Sequence, residues 1–266
     1  MIDTIRGLPR DLVTALSFLT RLPLPVLSHR QSAQMRGPAE AMATFPLAGL
    51  VLGALLVGLD RLLSLTAFPL ATRNLLLVVA LVALTGGLHL DGLMDTCDGL
   101  IGGHNAQQRL NIMRDSHVGS YGVLGGVCVV LLKVGALGAV PNSARVVALL
   151  LTPMLGRWSL VLAAALFPPA RPSGLGAAFR AGVTPPRLAA AAVTSVLAAC
   201  TIGGVAGLLA LVAACLATWL LGRAITAMIP GLTGDTYGAI AEVTEVVTLF
   251  LLALLGGNRM LLTITP

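Results

Sequence analysis

The chain has 266 residues, 56% of them hydrophobic and only 11% charged, against about 25% charged in a typical soluble domain. That leaves too little polar surface to coat a water-facing globule, and no alternating strand pattern of about ten residues marks a membrane barrel. The net charge of +6 comes without a basic patch interleaved with aromatics, which excludes nucleic acid as a partner and reads instead as the Lys and Arg excess of cytoplasmic loops.

These features define an all-α, polytopic integral membrane helix bundle in one domain, residues 1–266. Its natural surroundings are a lipid bilayer, whose hydrocarbon core needs about 20 apolar residues per spanning helix. The N-terminus is not a cleavable signal, because its apolar core is short and runs into Arg-Leu-Pro-Leu-Pro. Residues 9–22 read as an amphipathic helix at the membrane surface, with Leu12, Leu16 and Leu19 at helical spacing beside Phe18. Pro23 and Pro25 end it, and a loop carrying His29, Arg30 and Arg36 leads to the first span.

About seven spans follow, expected at 42–65, 72–90, 119–140, 144–167, 187–203, 205–228 and 238–256. Only "GGVAG" (203–207) separates the fifth from the sixth, so one long tilted helix is the alternative there. Abundant Gly and Ala permit close helix contact. With seven spans, Arg6, Arg10, Arg21, Arg30, Arg36, Arg109, Arg114, Arg171, Arg180, Arg187 and Arg223 share one side, and Arg61, Arg73, Arg145 and Arg259 the other. The first side is then cytoplasmic. Cys97, Cys128, Cys200 and Cys215 form no CxxC pair, which argues against zinc and gives no disulfide framework.

The acids are placed unevenly. Seven of the 11 sit in two stretches, Asp91, Asp95, Asp98 and Asp115 in the first and Asp235, Glu242 and Glu245 in the second. Asp91, Asp95 and Asp98 are spaced i, i+4, i+7, so a helix through them carries all three on one face. Like charges there repel unless a cation neutralises them, and oxygen-rich clusters suit Mg²⁺, Mn²⁺ or Ca²⁺. Glu242 and Glu245, at i, i+3, make a second such face. The plainer alternative is a set of solvated loop charges, but ionisable groups at membrane depth are costly and tend to be functional. In "MRDSHVGSYG" (113–122), Arg114 and Ser116 suit phosphate oxygens, or else form an ordinary charged helix cap. Lys133 and Arg157 fall inside spans and call for a functional or paired role.

The chain resembles the cobalamin synthase family, the adenosylcobinamide-GDP ribazoletransferases. The resemblance runs through "ALSFLTRLPLP" (15–25), "TFPLAGLVLG" (44–53), "GGLHLDGLMDTCDGL" (86–100), "NIMRDSHVGSYGV" (111–123) and "GLTGDTYGAIAEVTE" (231–245), in the family's order. His117 departs from the family's usual Arg and carries charge only when protonated. Arg114 stands where Lys is common.

The resemblance implies transfer of the cobinamide-phosphate moiety of adenosylcobinamide-GDP to α-ribazole or α-ribazole 5′-phosphate, with GMP leaving and Mg²⁺ required. On that basis Asp91, Asp95 and Asp98 hold Mg²⁺, with Asp235, Glu242 or Glu245 completing the site. Asp98 is the candidate proton acceptor, and Arg114, Asp115 and Ser116 complete the catalytic set. His89, Gly92, Gly99, Thr233, Gly234, Asp235 and Thr236 are the expected binding residues. The implied location is the bacterial inner membrane, with the site facing the cytoplasm and a homo-oligomer left open. A membrane phosphotransferase with a CDP-alcohol donor is the first competing reading, weakened because "DGLMDT" lacks that family's Ala-Arg pair. A cation transporter is the second, weakened because most of the acids gather at one surface.

Overall fold

In a computed structural model the described residues are 2–23, 37–257 and 261. The loop with His29, Arg30 and Arg36, and also Arg259, lies outside them. The described chain is helical. Its helices are α1 (Ile2–Leu19), α2 (Phe45–Ser64, entered through a 3-10 turn at Glu40–Thr44), α3 (Leu70–Thr85), α4 (Leu88–Gly102) and α5 (Ala106–Ile112). They continue with α6 (Ser120–Ala139), α7 (Asn142–Leu166), α8 (Leu175–Gly182), α9 (Pro185–Thr226) and α10 (Gly234–Leu255). Five of these stretches are long and apolar enough to cross a membrane, and a sixth counts if α3 and α4 are taken together.

α7 is the hub, with 83% of its apolar window buried. It packs against α2, α9 and α10. Against α2 the approach is backbone to backbone, because a Cβ on Gly53 would lie 2.7 Å from the Leu149 carbonyl oxygen. Small residues allow such close contact, and dispersion then holds the helices together where lipid supplies no hydrophobic drive. Leu16 and Leu19 of α1 are buried against the bundle, so its apolar stripe has a protein partner.

Two expectations about spans meet the structure at glycines. The run expected at 72–90 is not one helix. It ends at Thr85, and α4 leaves at 90° to α3. Gly86 and Gly87 make the corner with φ of 62° and 72°, a left-handed conformation open to glycine at little cost. The 42-residue α9 is broken at Gly204, where φ is 58° and ψ is −137°. Residues 199 and 207 of a straight helix stand about 12 Å apart, yet a Cβ on Gly207 would collide with the Ala199 carbonyl. The chain therefore folds back at Gly204. The fold-back lies against Val147 and Leu151 near the start of α7, while Gly222 meets Phe167 beyond its end. Each limb is long enough to cross the hydrocarbon at about 1.5 Å per residue.

Two buried ionic groups mark different depths. Asp60 accepts from Arg145 at 2.9 Å through both carboxylate oxygens and from Arg73 at 2.9 Å, near the bundle end away from the site. Lys133 of α6 donates to Glu242 at 2.7 Å and also to Glu245, which in turn pairs with Arg157 of α7. Lys133 and Arg157 thus have the paired role their positions called for.

Candidate active site

A cavity of about 350 Å³, open to solvent, sits at the end of the bundle where α4, α8 and the start of α10 meet. Its walls carry Asp91, Asp235, Arg114, Arg171 and His89, together with Phe18, Phe179 and Tyr237. Local devices bring together the elements that carry them.

α4 crosses the start of α10 at glycines. A Cβ on Gly92 would sit 2.7 Å from the Asp235 carbonyl oxygen, and one on Gly238 would sit 2.9 Å from the His89 carbonyl oxygen. This close crossing brings Asp91 and Asp95 within electrostatic reach of Asp235. α10 begins in a capping box. The Thr236 N–H donates to the Thr233 hydroxyl at 3.2 Å, and the Thr233 N–H donates to the Thr236 hydroxyl at 2.8 Å. Thr233 also donates to the Asp235 carboxylate at 3.3 Å. The segment just before α10 is tied to the segment after α7. The Leu232 N–H donates to the Pro168 carbonyl at 2.8 Å, and the Ala170 N–H donates to the Leu232 carbonyl at 2.9 Å. This short bridge sets Arg171 beside Asp235, and Arg171 is anchored by donating to the Leu110 carbonyl at 2.8 Å.

The aromatic wall joins four elements. Phe179 of α8 lies 5.8 Å from both Phe18 and Phe45 and 5.5 Å from Tyr237, between ring centroids. His89 is buried, with Nδ1 3.5 Å from the Arg157 guanidinium.

Several expected site residues do other work. Asp98 shares the helical face with Asp91 and Asp95, but its carboxylate caps α6, accepting at 2.8 Å from the N–H of Gly119 and at 2.8 Å from that of Gly122. A Cβ at either glycine would strike that carboxylate. With both oxygens so engaged and the group buried, Asp98 serves here as the cap of α6 and stands outside the cavity lining. Glu242 and Glu245 are likewise removed from the metal set, because Lys133 and Arg157 neutralise them inside the bundle. Gly99 packs under Arg109 and Met113. Thr236 is fully buried in the capping box. Asp115 and Ser116 lie exposed on the loop before α6, and Asp115 pairs with His117 at 2.6 Å. That hydrogen bond holds the His117 imidazole above the usual histidine range and the Asp115 carboxyl below the usual carboxylate range. Both groups face solvent, so this contact adds little to stability.

Among the described residues no group of three or more His, Cys, Asp or Glu side chains is arranged to hold a metal ion alone. Asp91, Asp95 and Asp235 nevertheless lie together, and no Lys, Arg or His is within ion-pair distance of any of them among the described residues. Such a donor set fits Mg²⁺, which is usually bound by one or two carboxylates plus substrate phosphates rather than by an all-protein cage. Arg171, Tyr237, Phe18 and Phe179 were not expected at the site. Tyr237 directly follows "GLTGDT", and Arg171 stood out only as one charge in a loop.

Fold and site together define a multi-span membrane protein with a polar cavity lined by both arginines and carboxylates. The profile of the cobalamin-5-phosphate synthase family matches residues 11–253, and the chain belongs to that family. It is 42% identical over 253 residues to the adenosylcobinamide-GDP ribazoletransferase of Roseiflexus sp. (strain RS-1), covering 94% of this chain and 91% of that one. It is 38% identical to the protein of the same name from Desulforamulus reducens, covering 93% and 97%. It is 41% identical to that of Pseudomonas paraeruginosa, covering 92% and 98%. No solved structure matches the chain.

Proposed function

We propose that this chain joins the cobinamide-phosphate moiety of adenosylcobinamide-GDP to α-ribazole or its 5′-phosphate, releasing GMP. The observation that carries the reading is the meeting of Asp91 and Asp235 with Arg114 and Arg171 in one cavity. A diphosphate needs both kinds of group, guanidinium for its oxygens and carboxylate for its counter-ion.

In the reaction a ribose hydroxyl attacks the cobinamide-linked phosphorus. A new P–O bond forms, the bond to the GMP oxygen breaks, and GMP leaves with the electron pair. With the 5′-phosphorylated acceptor the attacking hydroxyl is not the 5′ one, which is already esterified. Asp91, Asp95 and Asp235 would hold Mg²⁺ on the diphosphate, where it would neutralise phosphate charge. Arg114 and Arg171 bind phosphate oxygens and stabilise charge as the P–O bond breaks. The hydroxyl proton passes to a carboxylate of the Asp91, Asp95, Asp235 group. Phe18 gives the corrinoid and nucleotide an apolar surface, with the buried Phe179 and Tyr237 packed behind it.

The protein sits in the bacterial inner membrane with this cavity facing the cytoplasm. The support is the gathering of Arg109, Arg114, Arg171 and Arg180 at the cavity end, in line with the positive-inside bias. The test is turnover by purified protein in liposomes, with adenosylcobinamide-GDP and α-ribazole, in Mg²⁺ or in EDTA. Matched yields of GMP and adenosylcobalamin in Mg²⁺ alone are expected. No product from folded protein would overturn the reading, and release of CMP from a CDP-alcohol would replace it.

A further inference from the structure

A transfer at phosphorus brings the attacking and leaving oxygens in on opposite sides. An enzyme for it needs two approaches to one reaction centre. The structure has a second hollow, of about 450 Å³ and open to solvent, that borders the first at Leu88 and Asp91. Its other walls are Arg21, Gly86, Gly87, Leu90 and Met94. Where the first cavity carries two arginines and two carboxylates, this one offers an apolar surface, the shared Asp91 and Arg21 as its one cation among the described residues.

Arg21 is set in place by the α3–α4 corner. Its N–H donates to the Leu84 carbonyl at 2.7 Å. Its side chain lies across Gly86, where a Cβ would come 2.7 Å from Arg21 Cγ. The corner glycine therefore leaves the space that the arginine stem fills. No carboxylate pairs with the Arg21 guanidinium among the described residues. An arginine held at an apolar hollow without a protein partner is suited to a bidentate anion such as a phosphate.

Building on the reaction proposed above, we infer that the second hollow holds the acceptor nucleoside and that Arg21 binds its 5′-phosphate. The benzimidazole base lies on Leu90 and Met94, and the ribose faces Asp91 at the boundary with the first cavity. The diphosphate donor occupies the first cavity, so the hydroxyl approaches from the side away from the GMP group. Arg21 is then a specificity residue, favouring α-ribazole 5′-phosphate over α-ribazole.

The test is kcat/KM for both acceptors at saturating adenosylcobinamide-GDP, for the wild type, Arg21→Ala and Arg21→Lys in liposomes. The wild type is expected to favour the phosphorylated acceptor. Arg21→Ala should lower kcat/KM for that acceptor roughly 10–100-fold, the scale of one charge-assisted contact, chiefly through KM. It should leave α-ribazole within about twofold and the KM for adenosylcobinamide-GDP unchanged, since neither meets the guanidinium. Arg21→Lys should restore part of the preference. A wild type without preference, an equal loss for both acceptors, or a raised KM for the donor would overturn the assignment. No product from the folded wild type would instead sink the proposed reaction. Retained turnover of α-ribazole shows that the variants fold.

Discussion

Asp98 is the sharpest point at which sequence and structure divide, and its replacement discriminates between them. The carboxylate is 8% exposed and accepts two backbone N–H groups at 2.8 Å, one of them the buried N–H of Gly122. A hydrogen bond to a charged group contributes about 1.5–3 kcal/mol. Asp98→Ala removes two and leaves the start of α6 uncapped, so the loss is on the order of 3–5 kcal/mol. At about 2–4 °C per kcal/mol for a chain of this size, the unfolding midpoint falls by roughly 10 °C. Asp91→Ala, at an exposed group without an ionic partner, shifts stability by no more than about 0.5 kcal/mol while abolishing turnover. Thermal unfolding in detergent micelles, followed by tryptophan fluorescence, measures the first effect. GMP release at a temperature well below either midpoint measures the second. If Asp98→Ala unfolds with the wild type and has lost turnover, Asp98 acts on substrate and the capping argument is wrong.

Two further outcomes follow from packing and charge. Lys133→Met leaves Glu242 and Glu245 against Arg157 alone, and breaking a buried ion pair in this way costs about 3–5 kcal/mol. The double variant Lys133→Met/Glu242→Gln restores charge balance and should unfold at a higher temperature than Lys133→Met alone; an equal or lower midpoint would show that charge parity is not what the network supplies. Gly92→Ala places a methyl 2.7 Å from the Asp235 carbonyl oxygen, which costs about 1–3 kcal/mol of overpacking. By forcing α4 away from α10 it separates Asp91 from Asp235, and a displacement of about 1 Å can cost about 100-fold in rate. Turnover should therefore fall by more than tenfold in protein that still unfolds cooperatively, and a normal kcat would refute the crossing as the device that assembles the site.

Much of the molecule is written locally. Apolar runs of spanning length, the arginine bias, the i, i+4, i+7 aspartates of α4 and the "GGVAG" break all act through composition or neighbouring residues, and each is legible without a partner. The same is true of the family motifs, which mark the α4 and α10 stretches that the structure brings together. Which carboxylates stay available was not legible, because it depends on groups distant in sequence. Asp98 is engaged by glycines more than 20 residues on, and Glu242 and Glu245 by Lys133 and Arg157 more than 80 residues away. Arg171 carries no local signal either, and Arg21, though it lies inside "ALSFLTRLPLP", has none that marks a ligand. One is placed by the bridge between Leu232 and the Pro168–Ala170 strand of chain, the other by the corner at Gly86. The sequence by itself determined a membrane bundle with aspartates on a helical face, since helical periodicity and hydropathy are properties of the chain alone. Only the tertiary structure decided which of those charges are neutralised inside the bundle and which face the cavity, because in a low-dielectric interior a charge's role is set by the partner packed against it.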